Sequence, residues 1–395
     1  MSEPQRNILM IGGRDHTFVR IGEMGLRYSA LQIRSHLTEL LLDQAETVVV
    51  TDYEDVKTSV ALARALHRKT PFDAVFSFAE YGFLTAAHIA EALDLPSNCQ
   101  VPTVRLTRNK RRMRETLRAA GIEDVPFARV RTVAEIAEFV ARHGDSIVKP
   151  AEGGGSEGVH FVDGSTDIQT ALSHALQVGR EELIAEAFIP GPEYSVETMS
   201  VGGRHRVLQI TEKTTSGAPY FIESGHVQPA ALSAADEARI AERVQALLEV
   251  VGYRTGPAHT EVKLHDGAVY IIETQTRNGG DQIWELTLET TGADVFKETF
   301  AAVLGLAYDA PPLSTAAMAI RYMLAQDRTL DAITGLDCAA SSEGVARVHS
   351  SAKPGTRYDA VLSAASRVAY VLARGDSREQ ALAHAEAAVA RIALR

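Results

Sequence analysis

Apolar and polar positions along the first hundred residues alternate between two periods. Short apolar runs stand at 7–11 (NILMI), 47–50 (TVVV) and 74–78 (AVFSF). Between them apolar residues recur at helical spacing, over 30–42 and 56–66. Apolar runs alternating with amphipathic helices predict a parallel α/β sheet. Gly12 and Gly13 close the first run and invite a dinucleotide-binding reading. The stretch GGRDHT lacks the third spaced glycine, so the pair is read as a feature of the fold.

The pattern changes near Val104. Residues 108–120 (RNKRRMRETLRAA) predict a basic helix with Met113 and Leu117 one turn apart on its buried side, stopped by Gly121. Strand patterns follow at 146–148, 182–189, 194–201 and 206–211, with a hairpin turn at Gly202-Gly203. Another hairpin joins 258–264 to 268–273 around His265-Asp266-Gly267. The middle of the chain is therefore antiparallel sheet with helices, an α+β unit. The last eighty or so residues contain strands near 316–323 and 366–373. Their final helix opens with Ser377 and Gln380 spaced as a capping box. The expected units are 1–104, 105–181, 182–309 and 310–395. No repeat, low-complexity segment or disordered linker interrupts them.

Composition narrows the picture. With 395 residues, 45% of them hydrophobic, the chain exceeds what one core holds. Lys and Arg number 40 against 51 Asp and Glu, a net charge of −11, with no long block of one sign. That argues against nucleic acid as a partner. Cys99 and Cys338 are too few and too far apart for a disulfide framework or a zinc motif. The opening MSEPQRN has no charged start followed by an apolar core, so no secretory leader is expected. The apolar runs fall short of a membrane span, and the cytoplasm is the expected compartment.

Candidate chemistry begins at 149–159, KPAEGGGSEGV. A strand ends at Lys149-Pro150 and opens into a loop with glycines at 153, 154, 155 and 158. Such a loop lets backbone N–H groups approach phosphate oxygens, and Ser156 can add a hydroxyl. The lysine precedes the glycines, so this is not a Walker loop. By itself, a glycine loop is most simply a flexible hairpin. At 182–197, ELIAEAFIPGPEYSVE, the backbone around Ala187 and Ile189 can pair with an adenine edge, and Glu193 can accept two ribose hydroxyls. Glu261 and Glu273 lie on the facing strands HTEVKL and VYIIET. A three-residue turn over 265–267 would pair Glu261 with Ile271 and bring Glu273 onto the same face. A two-residue Asp-Gly turn would separate the carboxylates. Two carboxylates on one face repel unless a cation lies between them, and oxygen ligands beside a triphosphate suit Mg²⁺. Gln275 can add an amide oxygen. Arg277, beside Gly279-Gly280, is a fork for a carboxylate or acyl phosphate.

Taken in order, NKRRMRETLRAAGI, IVKPAEGGGSEGV, AEAFIPGPEYSVE, HTEVKL and IIETQTRNGGD resemble the ATP-grasp superfamily. Within it they are similar to carboxylate–amine ligases of the bacterial L-amino-acid (dipeptide) ligase kind, over nearly the whole chain. The resemblance implies an ATP-grasp fold: an N-terminal α/β domain, a central unit of a small and a large lobe, and a C-terminal subdomain. It implies that Lys110 and Lys149 contact the α- and β-phosphates. The loop at 153–158, with Gly154, Gly155 and Ser156, would close over the γ-phosphate. Glu186, with the backbone of Ala187 and Ile189, would read adenine, and Glu193 would hold ribose. Glu261 and Glu273, with Gln275, would ligate Mg²⁺, for which Mn²⁺ can substitute. Arg277 would stabilise an acyl phosphate, with Gly280 beside it. Two further segments look like the dipeptide-ligase branch. In FSFAEY, Glu80 would reach toward the amino-acid site. In KTTSGAPYFIESGHVQP, Glu223 and His226 would line the substrate pocket. Family members often carry Asn at the place of Gln275, and some carry a bulky aromatic at that of Asp281.

The implied reaction joins a small carboxylic acid to an amine, both expected to be amino acids or similar, through an acyl phosphate. Charge neutralisation by the two lysines, Arg277 and Mg²⁺ would carry it. His226 or Glu223 would serve as base, or His226 would be a neutral wall of the pocket. A carboxylating or formate-using ATP-grasp enzyme is the alternative, and a nucleotide-binding protein without turnover a third reading. No membrane partner is expected; a homodimer is compatible with the family.

Overall fold

The structure is a computed structural model and describes residues 5–180, 182–309, 312, 314 and 316–395. The MSEP opening and residues 181 and 310, which flank two expected boundaries, lie outside the described residues.

β1 (Asn7–Ile11) is buried at every position, as an apolar strand covered on both faces must be. It is followed by α1 (Asp15–Glu23), β2 (Arg27–Gln32), α2 (Glu39–Gln44), β3 (Thr47–Val50), α3 (Val56–Lys69), β4 (Ala74–Phe76), α4 (Phe83–Leu93) and α5 (Val101–Thr107). The sheet order is β3-β2-β1-β4 and every pair is parallel, as the alternating pattern predicts. One expected helix is wrong. Residues 30–42 begin as the end of strand β2, turn at 34–36 and enter α2, where the Thr38 hydroxyl accepts from the Leu41 N–H. Apolar residues from a buried strand and a short helix together imitated one helical stripe. Gly12 sits at φ +67°, and a Cβ there would lie 2.8 Å from that of Ala79: it is a turn glycine.

The small lobe contains α6 (Lys110–Ala119), β5 (Phe127–Val130), α7 (Val133–His143), β6 (Ser146–Pro150), β7 (His160–Val162), α8 (Ile168–Leu176) and β8 (Leu183–Ala187). Its antiparallel sheet runs β5-β8-β6-β7. The expected boundary at 181/182 is therefore too early: β8 pairs with both β5 and β6, so the lobe extends through Ala187. The Asn109 side chain caps α6 by accepting from Arg112 N–H. Met113 and Leu117 are buried in the core of the next lobe. Each such burial stabilises by roughly 1.5–3 kcal/mol, which seats this helix against that lobe.

The large lobe contains β9 (Glu193–Val201), β10 (Arg204–Thr215), β11 (Glu223–Gln228), α9 (Ala234–Val250), β12 (Gly256–His265), β13 (Ala268–Gln275), α10 (Ile283–Thr291) and α11 (Val295–Leu304). Then come β14 (Ala317–Leu324), β15 (Arg328–Leu330), β16 (Ile333–Thr334), α12 (Leu336–Ala340), β17 (Val345–Ser350), β18 (Thr356–Tyr358), β19 (Arg367–Gly375), α13 (Arg378–Val389) and β20 (Ala393–Leu394). One eight-stranded sheet runs β13-β12-β9-β10-β11-β14-β19-β17, so the C-terminal strands extend the large-lobe sheet. Among the described residues, no helix is long and apolar enough to cross a membrane.

Strand periodicity gives β9, β12 and β13 two opposite faces. Tyr194, Val196, Ala258, Val262, Val269 and Ile271 pack against Ile240, Val244 and Leu247 of α9. The other face carries Glu193, Glu197, Lys213, His259, Glu261 and Lys263, brought level by the register of β9, β10 and β12. Two bulges complete this charged face. The β12–β13 turn is the two-residue Asp266-Gly267, both at positive φ, because His265 pairs with Ala268. This overturns the expected three-residue turn. Regular pairing from there would aim Glu273 at the apolar face. Ile272 instead bulges out of the ladder: Val262 pairs with Ile271, but Glu261 pairs with Glu273. A second bulge, at Ser224, pairs Thr215 with Glu223 and Lys213 with His226, and puts those two β11 side chains on one face.

Candidate active site

A cleft between the lobes is lined by Lys110, Lys149, the 153–157 loop, Glu186, Ala187, Ile189, Glu193, Glu223, Glu261, Ile272 and Glu273. Lys110 opens α6. Its Nζ lies 2.7 Å from Glu273 Oε2 and donates to the Gly153 carbonyl at 2.8 Å. Burial disfavours its charge, but the Glu273 carboxylate outweighs that and holds its pKa above the ordinary value. Lys149, near the end of β6, lies 2.6 Å from Glu186 Oε2, and burial lowers its pKa.

Glu186 is placed differently from expectation. Arg114 Nε donates to Oε1 at 3.0 Å and Nη2 to Oε2 at 3.3 Å, while Lys149 takes Oε2 as well. Both oxygens are engaged, so Glu186 fixes Lys149; nearby, the Ala187 N–H donates to the Pro126 carbonyl at 2.9 Å and the Ile189 carbonyl accepts from Lys263 Nζ at 3.1 Å. Burial would raise the Glu186 pKa, but Arg114 and Lys149 bring it down from 4.5 to about 2. Its contribution to stability is therefore present above about pH 4.5 and is lost as pH falls toward 2. The melting temperature of Glu186→Gln is expected to vary less steeply than the native one across that window. Equal slopes would show that the pair carries no such linkage.

Lys213 stands in a polar stretch of β10. Its side chain is 2% exposed, and its Nζ lies 2.5 Å from Glu193, 2.7 Å from Glu261 and 3.5 Å from Glu223. Although burial opposes it, those carboxylates hold its pKa well above the ordinary value. The readable signal is parity: Lys213 follows Thr211 on the inward side of β10. His259 also stands behind Glu261. Its Nδ1 is 2.7 Å from Glu197 and its Nε2 3.5 Å from Glu261. Burial works against its proton, but Glu197 and Glu261 raise its pKa to about 10.

Among the described residues no group of three His, Cys, Asp or Glu side chains converges as a metal cage. Two carboxylates and an amide do lie on neighbouring positions of one sheet edge. Glu261 and Glu273 face each other across β12 and β13, and Gln275 donates to Glu273 Oε1 at 2.8 Å. Gln275 Oε1 is buried without a hydrogen-bond partner. This all-oxygen set fits Mg²⁺ or Mn²⁺, which take their remaining ligands from phosphate and water.

Two further placements concern the substrate end and the glycine loop. Glu80 does not enter the cleft. It accepts from Arg277 Nε at 2.5 Å, lies 4.0 Å from Arg108, and borders a smaller cavity with Lys110 and Gln275. It therefore orients Arg277. Ser156 does not point freely at a phosphate, because its hydroxyl donates to the Phe221 carbonyl at 3.2 Å. Gly154 and Gly155 do line the cleft. His226 lies beyond the cleft lining, fully buried, with both ring nitrogens unpartnered and Asp281 Oδ2 3.7 Å from Nε2. Arg367 on β19 holds Asp281 at 2.6 and 2.7 Å. Glu223 lines the cleft with Oε2 unpartnered. Gly280 is exposed, with Arg277 Nη1 3.8 Å from where its Cβ would stand.

Three family descriptions match in chain order: "ATP-grasp N-terminal domain" over residues 31–97, "ATP-grasp domain" over 144–285 and "L-amino acid ligase C-terminal domain 2" over 321–395. The uncharacterized protein y4rH of Sinorhizobium fredii is 27% identical over 78% of this chain and 65% of its own length. A D-alanine–D-alanine ligase of Flavobacterium johnsoniae is 29% identical over 53% of this chain and 69% of its own. The matches thus span about two thirds of these relatives. The crystal structure of an L-amino acid ligase from Bacillus licheniformis superposes with a TM-score of 0.86, covering 100% of this chain and 99% of that one at 24% identity. That of N5-carboxyaminoimidazole ribonucleotide synthetase from Thermotoga maritima gives 0.74 at 17% identity, covering 98% and 99%. These likenesses show the fold, and with the ordered domain matches they establish that the chain belongs to the ATP-grasp superfamily.

Proposed function

We propose that this protein is an ATP-dependent ligase that joins a carboxylic acid to an amine through an acyl phosphate, releasing ADP and phosphate. One observation carries the reading: two buried lysines and an oxygen ligand set face one cleft, with an oriented arginine beside it. Lys110 and Lys149 neutralise phosphate charge, which the approach of an anionic acid to ATP requires. Glu261, Glu273 and Gln275 would hold Mg²⁺, whose chemistry is to screen the phosphate oxygens. The backbone of Ala187 and Ile189 borders the adenine end, and Glu193 the ribose.

In the first step the acid oxygen attacks the γ-phosphorus and the bond to ADP breaks. Arg277, held by Glu80, presents its guanidinium to the acyl phosphate. In the second step the amine nitrogen attacks the acyl carbon, a proton leaves the nitrogen and phosphate departs. Glu223 and His226 have unpartnered buried atoms and are the available proton acceptors. The relatives named as L-amino acid and D-alanine–D-alanine ligases support amino acids as both substrates.

The test is an ADP- and phosphate-release screen of amino-acid pairs with mass spectrometry of the products. An amide formed with stoichiometric ADP is expected. ADP release driven by bicarbonate or formate, without an amide, would replace this reading with the carboxylating one.

A further inference from the structure

The bulge that turns Glu273 into the cleft has an anchor outside it. β13 is the edge strand of its sheet, so Ile271, just before the bulged Ile272, presents its backbone polar groups outward. Side chains take both. The Ile271 N–H donates to Glu123 Oε2 at 2.7 Å, and its carbonyl accepts from Arg114 Nη1 at 2.6 Å. Arg114 and Glu123 also pair with each other, and their side chains are 2% and 4% exposed. Neither lines the cleft. The other nitrogens of Arg114 hold Glu186, which holds Lys149. A buried ion pair seldom repays its desolvation as stability, so stability alone is a poor reason for this one.

We propose that Arg114 and Glu123 are positioning residues whose clamp on Ile271 fixes the bulge at Ile272 and so sets Glu273 opposite Glu261. Through Glu186 the same arginine sets Lys149. A bulge is a local break in the ladder, and on an edge strand nothing beyond it restores the pairing. Released, β13 can slip to regular pairing, which aims the Glu273 carboxylate at Val262 and Ile271. This inference rests on the reading of Glu261 and Glu273 as cation ligands.

The test is Mn²⁺ titration by electron paramagnetic resonance of the full chain with a non-hydrolysable ATP analogue. Glu123→Ala is expected to weaken Mn²⁺ by about tenfold or more, the usual cost of losing a group behind a metal ligand. Analogue affinity without metal should stay within about twofold, because Glu123 shares no partner with the phosphate end except Arg114. Glu123→Gln keeps an acceptor for the Ile271 N–H and should restore most of the Mn²⁺ affinity. A lowered melting temperature with native Mn²⁺ affinity in Glu123→Ala would overturn the proposal. Should that variant not fold, Arg114→Lys replaces it, since a lysine cannot hold Glu186 and the Ile271 carbonyl together; native Mn²⁺ affinity there overturns the proposal equally. Glu273→Gln separates the two failures. If it weakens Mn²⁺ and Glu123→Ala does not, the clamp is wrong. If neither does, the cation reading is wrong and the clamp falls with it.

Discussion

Glu273→Ala should lower ADP release by on the order of 10³-fold, the scale of losing a main electrostatic contributor to a transition state. Glu273 touches both halves of the proposed phosphate site. It faces Glu261 across the sheet, and it lies 2.7 Å from Lys110. Removing it would delete a proposed cation ligand and also the charge that favours protonated Lys110. The fold should survive, because the lysine still donates to the Gly153 carbonyl and the Ile271 clamp lies elsewhere. Steady-state ADP release and a thermal melt measure both. A folded variant turning over within tenfold of the native rate would remove Glu273 from the cation site. Glu273→Gln keeps the shape, loses the charge, and should be impaired to a similar degree.

Arg277→Ala is expected to lose about 10²–10³-fold in product formation while ATP binding stays near native. The residue follows β13 directly, and Glu80 from the N-terminal domain holds its Nε at 2.5 Å. With Nη1 donating to the Asn278 carbonyl at 2.8 Å, Nη2 is the donor left to face an anion in the proposed reaction. Arg277→Lys should not rescue the loss, since an ammonium cannot bond Glu80 and an acyl phosphate in the same fork. Nucleotide affinity by calorimetry and single-turnover amide formation separate the terms. A native rate in Arg277→Ala would exclude it from the chemistry. Native activity in the lysine variant would show that only charge matters there.

The residues of the cleft were legible as residue types at spacings: a lysine opening a basic helix, a lysine before a glycine loop, glutamates in otherwise apolar strands. Their partners were not. Arg114 looks like one basic residue among several on α6, yet with Lys110 it is turned inward, beside Met113 and Leu117. Lys213 and Glu197 stand in strands whose alternation shows an inward side, but not that this side is charged rather than apolar. Glu80 is legible as an acidic side chain reaching toward Arg277's neighbourhood, but not as that arginine's own partner. An acidic side chain near a site reads as a substrate contact until the arginine that holds it is known.

The parallel N-terminal sheet, the glycine loop and the candidacy of Glu261 and Glu273 follow from the sequence by itself, because periodicity and chemistry are local properties of the chain. Two matters belong to the tertiary structure alone. Strand β8 completes the small lobe because its partners, β5 and β6, lie far earlier in the chain. The carboxylates meet because a two-residue turn, which would part them, is offset by a bulge at Ile272. Side-chain parity along a strand can be read from sequence only while the ladder is regular. A bulge reverses it, and what holds this bulge is Glu123 and Arg114, about 150 residues away in the chain.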